Sequence, residues 1–111
     1  MKYAHFIHDR RLFLKLEGDF LGDTEEEHLL QMVENYLQFS VLRCVIDLGG
    51  VQHMNSTGLS FLVRIFNRIS EKKGTMVILN TAPHIVKLLQ VTKLSSLFHL
   101  ASSREEAWQL V

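Results

Sequence analysis

The chain has 111 residues, 47% hydrophobic and 22% charged with a single proline, which suits one domain over residues 1–111 and is too short for two. A chain of this size can remove roughly 60–70% of its extended surface from water, so it needs neither disulfides nor a structural metal, and its one cysteine, Cys44, has no partner within the chain. Twelve basic residues against twelve acidic ones give no formal net charge, which argues against direct nucleic-acid binding through phosphate neutralisation.

Apolar runs such as Val77 to Leu79 fall far short of the roughly 18–20 residues that span a bilayer, so no membrane span is expected. Met1 to His5 leads into an alternating pattern without the apolar core of a secretory signal, which makes a cytoplasmic location the expectation.

Two stretches rich in Phe, Ile and Leu, Tyr3 to Ile7 and Leu12 to Leu16, flank the polar His8-Asp9-Arg10-Arg11 at turn length and predict a β-hairpin. Leu12, Leu14 and Leu16 share one strand face, Phe13 and Lys15 the other. Gly18 and Gly22 loosen the chain before Asp23, an N-cap candidate with Glu26 in the capping-box position. A helix follows from about Thr24 to Phe39, with Leu29, Leu30, Val33, Tyr36 and Leu37 on its apolar face and Glu25 to Glu27 in the first turn, where the dipole favours them.

Val41 to Leu48 is β-branched and apolar on both faces, as a central parallel strand requires, and Gly49-Gly50 are read as its end. A loop from Gly49 to Asn55 then leads to a second helix that Asn55-Ser56-Thr57-Gly58 opens and Gly74 stops. Its stripe of Leu59, Leu62, Val63, Phe66 and Ile69 should lie on the sheet. Thr75 to Leu79 completes a strand–helix–strand unit with parallel strands and a right-handed crossover. Pro83 opens a short helix to about Val91, Leu97 to Ala101 is a candidate edge strand, and Ser103 to Glu106 caps a final helix. The sum is an α/β fold: a mixed sheet of four or five strands with about four helices, free of repeats and linkers.

Sites in open α/β sheets gather at the carboxyl ends of parallel strands, which here points to the segment Gly49 to Asn55 and to Ser56 at the helix start. Unsatisfied amides and the positive dipole end make that position tolerant of a phosphate on Ser56; the plainer alternative is an ordinary cap in which Asn55 or Ser56 bonds the first-turn amides. His53 and Met54 are contact candidates in the loop, with Met54 also a core candidate. Phe61 and Ile65, at the rim of the helix stripe, either meet a partner or pack beneath the neighbouring helix.

Other chemistry lacks its residues. The six histidines form no helical metal pair, and neither a Gly-x-Ser-x-Gly elbow nor a phosphate-binding Gly-Lys-Ser/Thr is present, so no metal, cofactor or catalytic residue is assigned. Asp47 is read as a carboxylate that braces the following loop through backbone N–H groups.

Val45-Ile46-Asp47-Leu48-Gly49-Gly50-Val51 followed by Met54-Asn55-Ser56-Thr57-Gly58-Leu59 resembles the signature of STAS domains, in particular the bacterial anti-sigma factor antagonists. The similarity runs from the Gly18 turn to the closing segment Ser103 to Leu110. The resemblance implies the STAS fold and a non-enzymatic partner switch. It implies that the unmodified domain binds an anti-sigma factor serine kinase and so frees a sigma factor, that phosphorylation of the serine matched by Ser56 prevents that binding, and that a serine phosphatase is a further candidate partner. Partner contacts would surround Ser56: Leu21, Asp23, His53, Met54, Asn55, Thr57, Gly58, Phe61 and Ile65. Thr57 matches a second hydroxyl of the pattern and is expected to bond back to local backbone. Two positions depart from the family: Asn55 stands where phosphorylated members usually have Asp, and Leu21 where they tend to have Asp, with Asp19 and Asp23 the nearby carboxylates. An alternative is a constitutive STAS subunit that braces a larger assembly, such as a transporter's cytoplasmic part; a small-ligand sensor is a third possibility without a residue pattern of its own.

Overall fold

A computed structural model of the chain describes residues 2–21, 25–79 and 81–111, with the side chain of Ser95 left out. The predicted hairpin is there: β1 (Lys2–His8) and β2 (Arg11–Phe20) pair antiparallel across a two-residue turn in which Asp9 and Arg10 both have positive φ, the mark of a type I′ connection. Helix α1 (Glu25–Gln38) follows; the expected cap at Asp23 and start at Thr24 lie outside the described residues. Then come β3 (Arg43–Met54), α2 (Ser56–Glu71), β4 (Thr75–Leu79), α3 (Pro83–Val91), a 3-10 turn (Leu94–Ser96), β5 (His99–Ala101) and α4 (Arg104–Leu110).

The sheet order is β1-β2-β3-β4-β5, with β2 to β5 mutually parallel. Alternation along the strands divides the core. Leu12, Leu14, Leu16, Cys44, Ile46, Met76 and Ile78 face α1, α2 and α3, whereas Phe13, Val45, Val77 and Leu79 face α4 through Ala107 and Trp108. This is why β3 and β4 read as apolar on both faces: both faces are covered.

Three expectations need correction. β3 does not stop at Gly49-Gly50; it continues to Met54, pairing Glu17 with Gly50, Gly18 with Val51 and Phe20 with Met54 across two irregularities in register. A Cβ at Gly50 would stand 2.9 Å from Glu17 Cγ and 3.0 Å from the Leu16 carbonyl, so Gly50 marks a close strand approach and not a strand end. Gly74 is not the stop of α2: the helix ends at Glu71 with Lys72 as its C-cap and Lys73 in the left-handed conformation, and Gly74 is glycine because a Cβ there would lie 2.2 Å from the Leu42 carbonyl. The last strand is shorter than Leu97 to Ala101, since the amides of Leu97 and Phe98 are held by the Leu94 carbonyl at 2.9 and 3.3 Å.

Candidate functional site

The parallel order brings the carboxyl ends of β3 and β4 and the amino ends of α2 and α3 to one end of the sheet. Among the described residues β4 ends level with Asp47, so beyond that point β3 is paired only with β2, and its tail carries the chain out to Asn55. Asp47, 7% exposed, accepts the Gly49 amide on Oδ1 at 2.8 Å, the bracing role its position predicts.

Asn55 organises the helix start. Its backbone is extended (φ −107°, ψ −175°), and Oδ1 accepts the Gly58 amide at 2.9 Å, which makes it the N-cap of α2. Its Nδ2 donates to the Leu21 carbonyl at 3.2 Å, while its own amide donates to the Phe20 carbonyl at 3.4 Å. One side chain thus joins the helix start to the end of β2. Gly58 is buried, and a Cβ there would lie 2.2 Å from the Phe20 carbonyl oxygen and 3.1 Å from Met54 Cγ; its glycine is a packing requirement of this junction.

Ser56 is the first helical residue, and it is exposed. The capping task belongs to Asn55, so among the described residues no hydrogen bond engages the Ser56 hydroxyl, and the amides of Ser56 and Thr57 have no acceptor. No acidic side chain lies in the first turn. A free hydroxyl beside two unfilled amides, at the positive end of a helix of sixteen residues, is a position where added negative charge is electrostatically favoured.

The remaining predicted residues divide. Leu21, His53, Asn55 and Thr57 are exposed around Ser56, and Met54 is half-buried against the core. Phe61 and Ile65, offered as partner contacts, are 2% and 0% exposed; Phe61 packs edge-on against Phe20, and both belong beneath the surface. They correct to supports of the site, because the face of α2 buried in the core includes them beside Leu59, Leu62 and Ile69. Asp23 lies outside the described residues. Thr57 makes no back-bond among the described residues; Ser60 does so instead, its hydroxyl donating to the Ser56 carbonyl at 2.9 Å.

Two residues at this end escaped the sequence reading. His84, in the first turn of α3, donates Nε2–H to the Gln52 carbonyl, and its ring lies 6.5 Å from that of His53. The signal was available: a helix that follows a strand parallel to β3 must begin at the same end. Among the described residues no group of three His, Cys, Asp or Glu side chains gathers to hold a metal, and no helix is long and apolar enough to cross a membrane.

Comparison with known proteins adds the following. The STAS domain family model matches residues 6–107. BtrV of Bordetella bronchiseptica, whose assigned role is anti-sigma factor antagonist, is 29% identical over 65 residues, covering 59% of this chain and 56% of BtrV, so the match spans little more than half of that relative. Among solved structures, an anti-sigma factor antagonist from Mycobacterium paratuberculosis superposes with a TM-score of 0.79 at 21% identity, covering 97% of this chain and 91% of the other. The phosphorylated form of the Bacillus cell fate determinant SpoIIAA does so with a TM-score of 0.78 at 16% identity, covering 99% and 100%.

Proposed function

The chain belongs to the STAS domain family, and from that premise we propose that it is an anti-sigma factor antagonist switched by phosphorylation of Ser56. In the unmodified state it docks on an anti-sigma factor serine kinase through the exposed residues around Ser56, and so releases a sigma factor in the cytoplasm. The kinase, which holds the ATP, transfers the γ-phosphoryl group to Ser56 Oγ; the hydroxyl proton leaves to solvent and ADP is the other product. A dianion at the centre of a desolvated interface opposes docking, because it must lose its water without a paired cation. A phosphatase that hydrolyses the ester restores the binding state.

The observation that carries this reading is the division of labour at the helix start. Asn55 caps, which leaves Ser56 exposed and uncommitted in front of two free amides. Were Ser56 the cap, esterification would break the helix start; here it disturbs no bond of the fold. The relative BtrV and the fold shared with SpoIIAA support the same reading. Leu21, His53, Asn55 and Thr57 then form the docking rim with the half-buried Met54, Asp23 is assigned to it from sequence, and Gly58, Phe61 and Ile65 hold the surface from below.

The test is incubation with ATP and the candidate kinase followed by mass spectrometry. One phosphate should appear on the wild type and be absent from Ser56→Ala. No incorporation, or equal incorporation into Ser56→Ala, overturns the proposal.

A further inference from the structure

A net charge of zero conceals a polar molecule. The amino ends of β2, β3 and β4 share the end of the sheet opposite Ser56, with Arg11, Arg43 and Thr75 level in register. Arg10 sits in the turn before β2, and Lys72 and Lys73 in the turn before β4, which the Thr75 amide ties to the Leu42 carbonyl at 2.9 Å. The acids at this end face cations other than these: Asp9 meets Arg11 at 2.8 Å, Glu34 and Glu71 share Arg68 at 2.7 and 4.0 Å, and Arg11 also donates to the Val111 carbonyl at 3.3 Å. Among the described residues Arg10, Arg43, Lys72 and Lys73 have no carboxylate partner, and Arg10 and Arg43 wall a cleft of about 430 Å³ with Ser40 and Leu42. The other end carries Asp19, Asp47 and the acidic first turns of α1 and α4, against the cations Lys2 and Arg104.

Exposed apolar side chains accompany these cations. Phe39, just past α1, is 80% exposed; Val91, at the end of α3, is 72% exposed; Ile7 stands at the end of β1 beside the turn. The carbonyl end of α2 accounts for Lys72 and Lys73. It does not account for Arg10 and Arg43, which flank strands, or for a phenylalanine left in water.

We propose that this end is a peripheral docking surface for an anionic lipid bilayer, with Arg10, Arg43, Lys72 and Lys73 against phospholipid phosphates and Phe39 entering the headgroup–acyl boundary. Charge complementarity identifies the partner as polyanionic. The aliphatic Val91 and Ile7 favour a bilayer over nucleic acid, since a base can stack on an aromatic ring but gains little from an aliphatic side chain. A protein docked this way presents Ser56 to the solvent side, away from the bilayer. The inference does not depend on the partner-switch reading.

The experiment is flotation of the full chain with vesicles of phosphatidylcholine and phosphatidylglycerol, against vesicles of phosphatidylcholine alone. Binding to the anionic vesicles should exceed binding to neutral ones at least about tenfold at ~50 mM salt and vanish at ~500 mM. Arg10→Glu with Arg43→Glu should cut it about tenfold or more, and Phe39→Ser several-fold at equal charge. Lys15→Glu, near the opposite end, should leave it unchanged. Circular dichroism establishes that each variant is folded; should the double variant fail to fold, Phe39→Ser and the single Arg43→Gln carry the test. Equal binding to neutral vesicles, or no loss in the variants, overturns the proposal. So does arginine-dependent binding of a labelled DNA duplex that matches or exceeds vesicle binding, or self-association without lipid that Arg43→Glu abolishes.

Discussion

Asn55 is the residue whose replacement tests the account of the helix start most sharply, because its two side-chain atoms do separable work. Oδ1 accepts the Gly58 amide at 2.9 Å and Nδ2 donates to the Leu21 carbonyl at 3.2 Å. Asn55→Ala removes both: about 1 kcal/mol for the cap and about 1 kcal/mol for the second bond, some 2 kcal/mol in all. Asn55→Asp keeps the acceptor and adds a charge that the dipole favours by about 0.5 kcal/mol, but it replaces the donor with an oxygen facing the Leu21 carbonyl. Its net cost should be about 0.5–1 kcal/mol. For a domain of this size 1 kcal/mol corresponds to about 4 °C in melting temperature, so Ala should melt about 8 °C below wild type and Asp about 2–4 °C below. Thermal unfolding followed by circular dichroism reads both. An Ala variant within about 2 °C of wild type, or an Asp variant that falls as far as Ala, would refute the assignment.

Three further outcomes follow from the packing and the titrating groups. Gly58→Ala should destabilise by about 2–3 kcal/mol in urea unfolding, since its Cβ would lie 2.2 Å from a backbone oxygen that cannot swing away. Burial pushes the Cys44 thiol from its ordinary 9.0 up to about 12, so it should resist a thiol reagent at neutral pH unless the protein is unfolded. Because the folded value is the higher one, its share of stability is intact below pH 9 and is lost as pH rises towards 12; Cys44→Ala should lack this alkaline loss. The Ser102 amide and hydroxyl, 3.1 and 2.8 Å from Glu106 Oε2, hold the Glu106 carboxyl below its ordinary 4.5. Here the folded value is the lower one, so the contribution stands above pH 4.5 and is lost as pH falls through the depressed value; Glu106→Gln should flatten that acid limb in pH-dependent unfolding.

Much of the fold is legible because local chemistry and tertiary packing agree. The hairpin, both strands apolar on two faces, the Pro83 helix and the Ser103 cap stand where periodicity and capping residues put them. The two glycine misreadings share one cause. Gly50 and Gly74 look like punctuation, but each is glycine because backbone from elsewhere in the chain comes too near for a Cβ, which no local pattern records. Phe61 and Ile65 look like a stripe edge and are interior, because α2 buries a wider face than the stripe suggests. The place of Ser56 at the start of α2 was legible; that Asn55 takes the capping task was not, since the choice between two adjacent capping residues is made by the contact with Leu21, 34 residues away. The end of the sheet at which His84 sits was legible from the parallel strand order; its bond to the Gln52 carbonyl, 32 residues away, was not.

The most direct test of the central claim is the affinity of the anti-sigma factor kinase for two forms of this chain, unmodified and stoichiometrically phosphorylated on Ser56, measured by titration calorimetry at one salt concentration. The account predicts tight binding of the unmodified form and a loss of at least about 100-fold on phosphorylation, the scale of several kcal/mol for an unpaired dianion in an interface. Equal affinity of the two forms, with phosphate verified on Ser56, would contradict it.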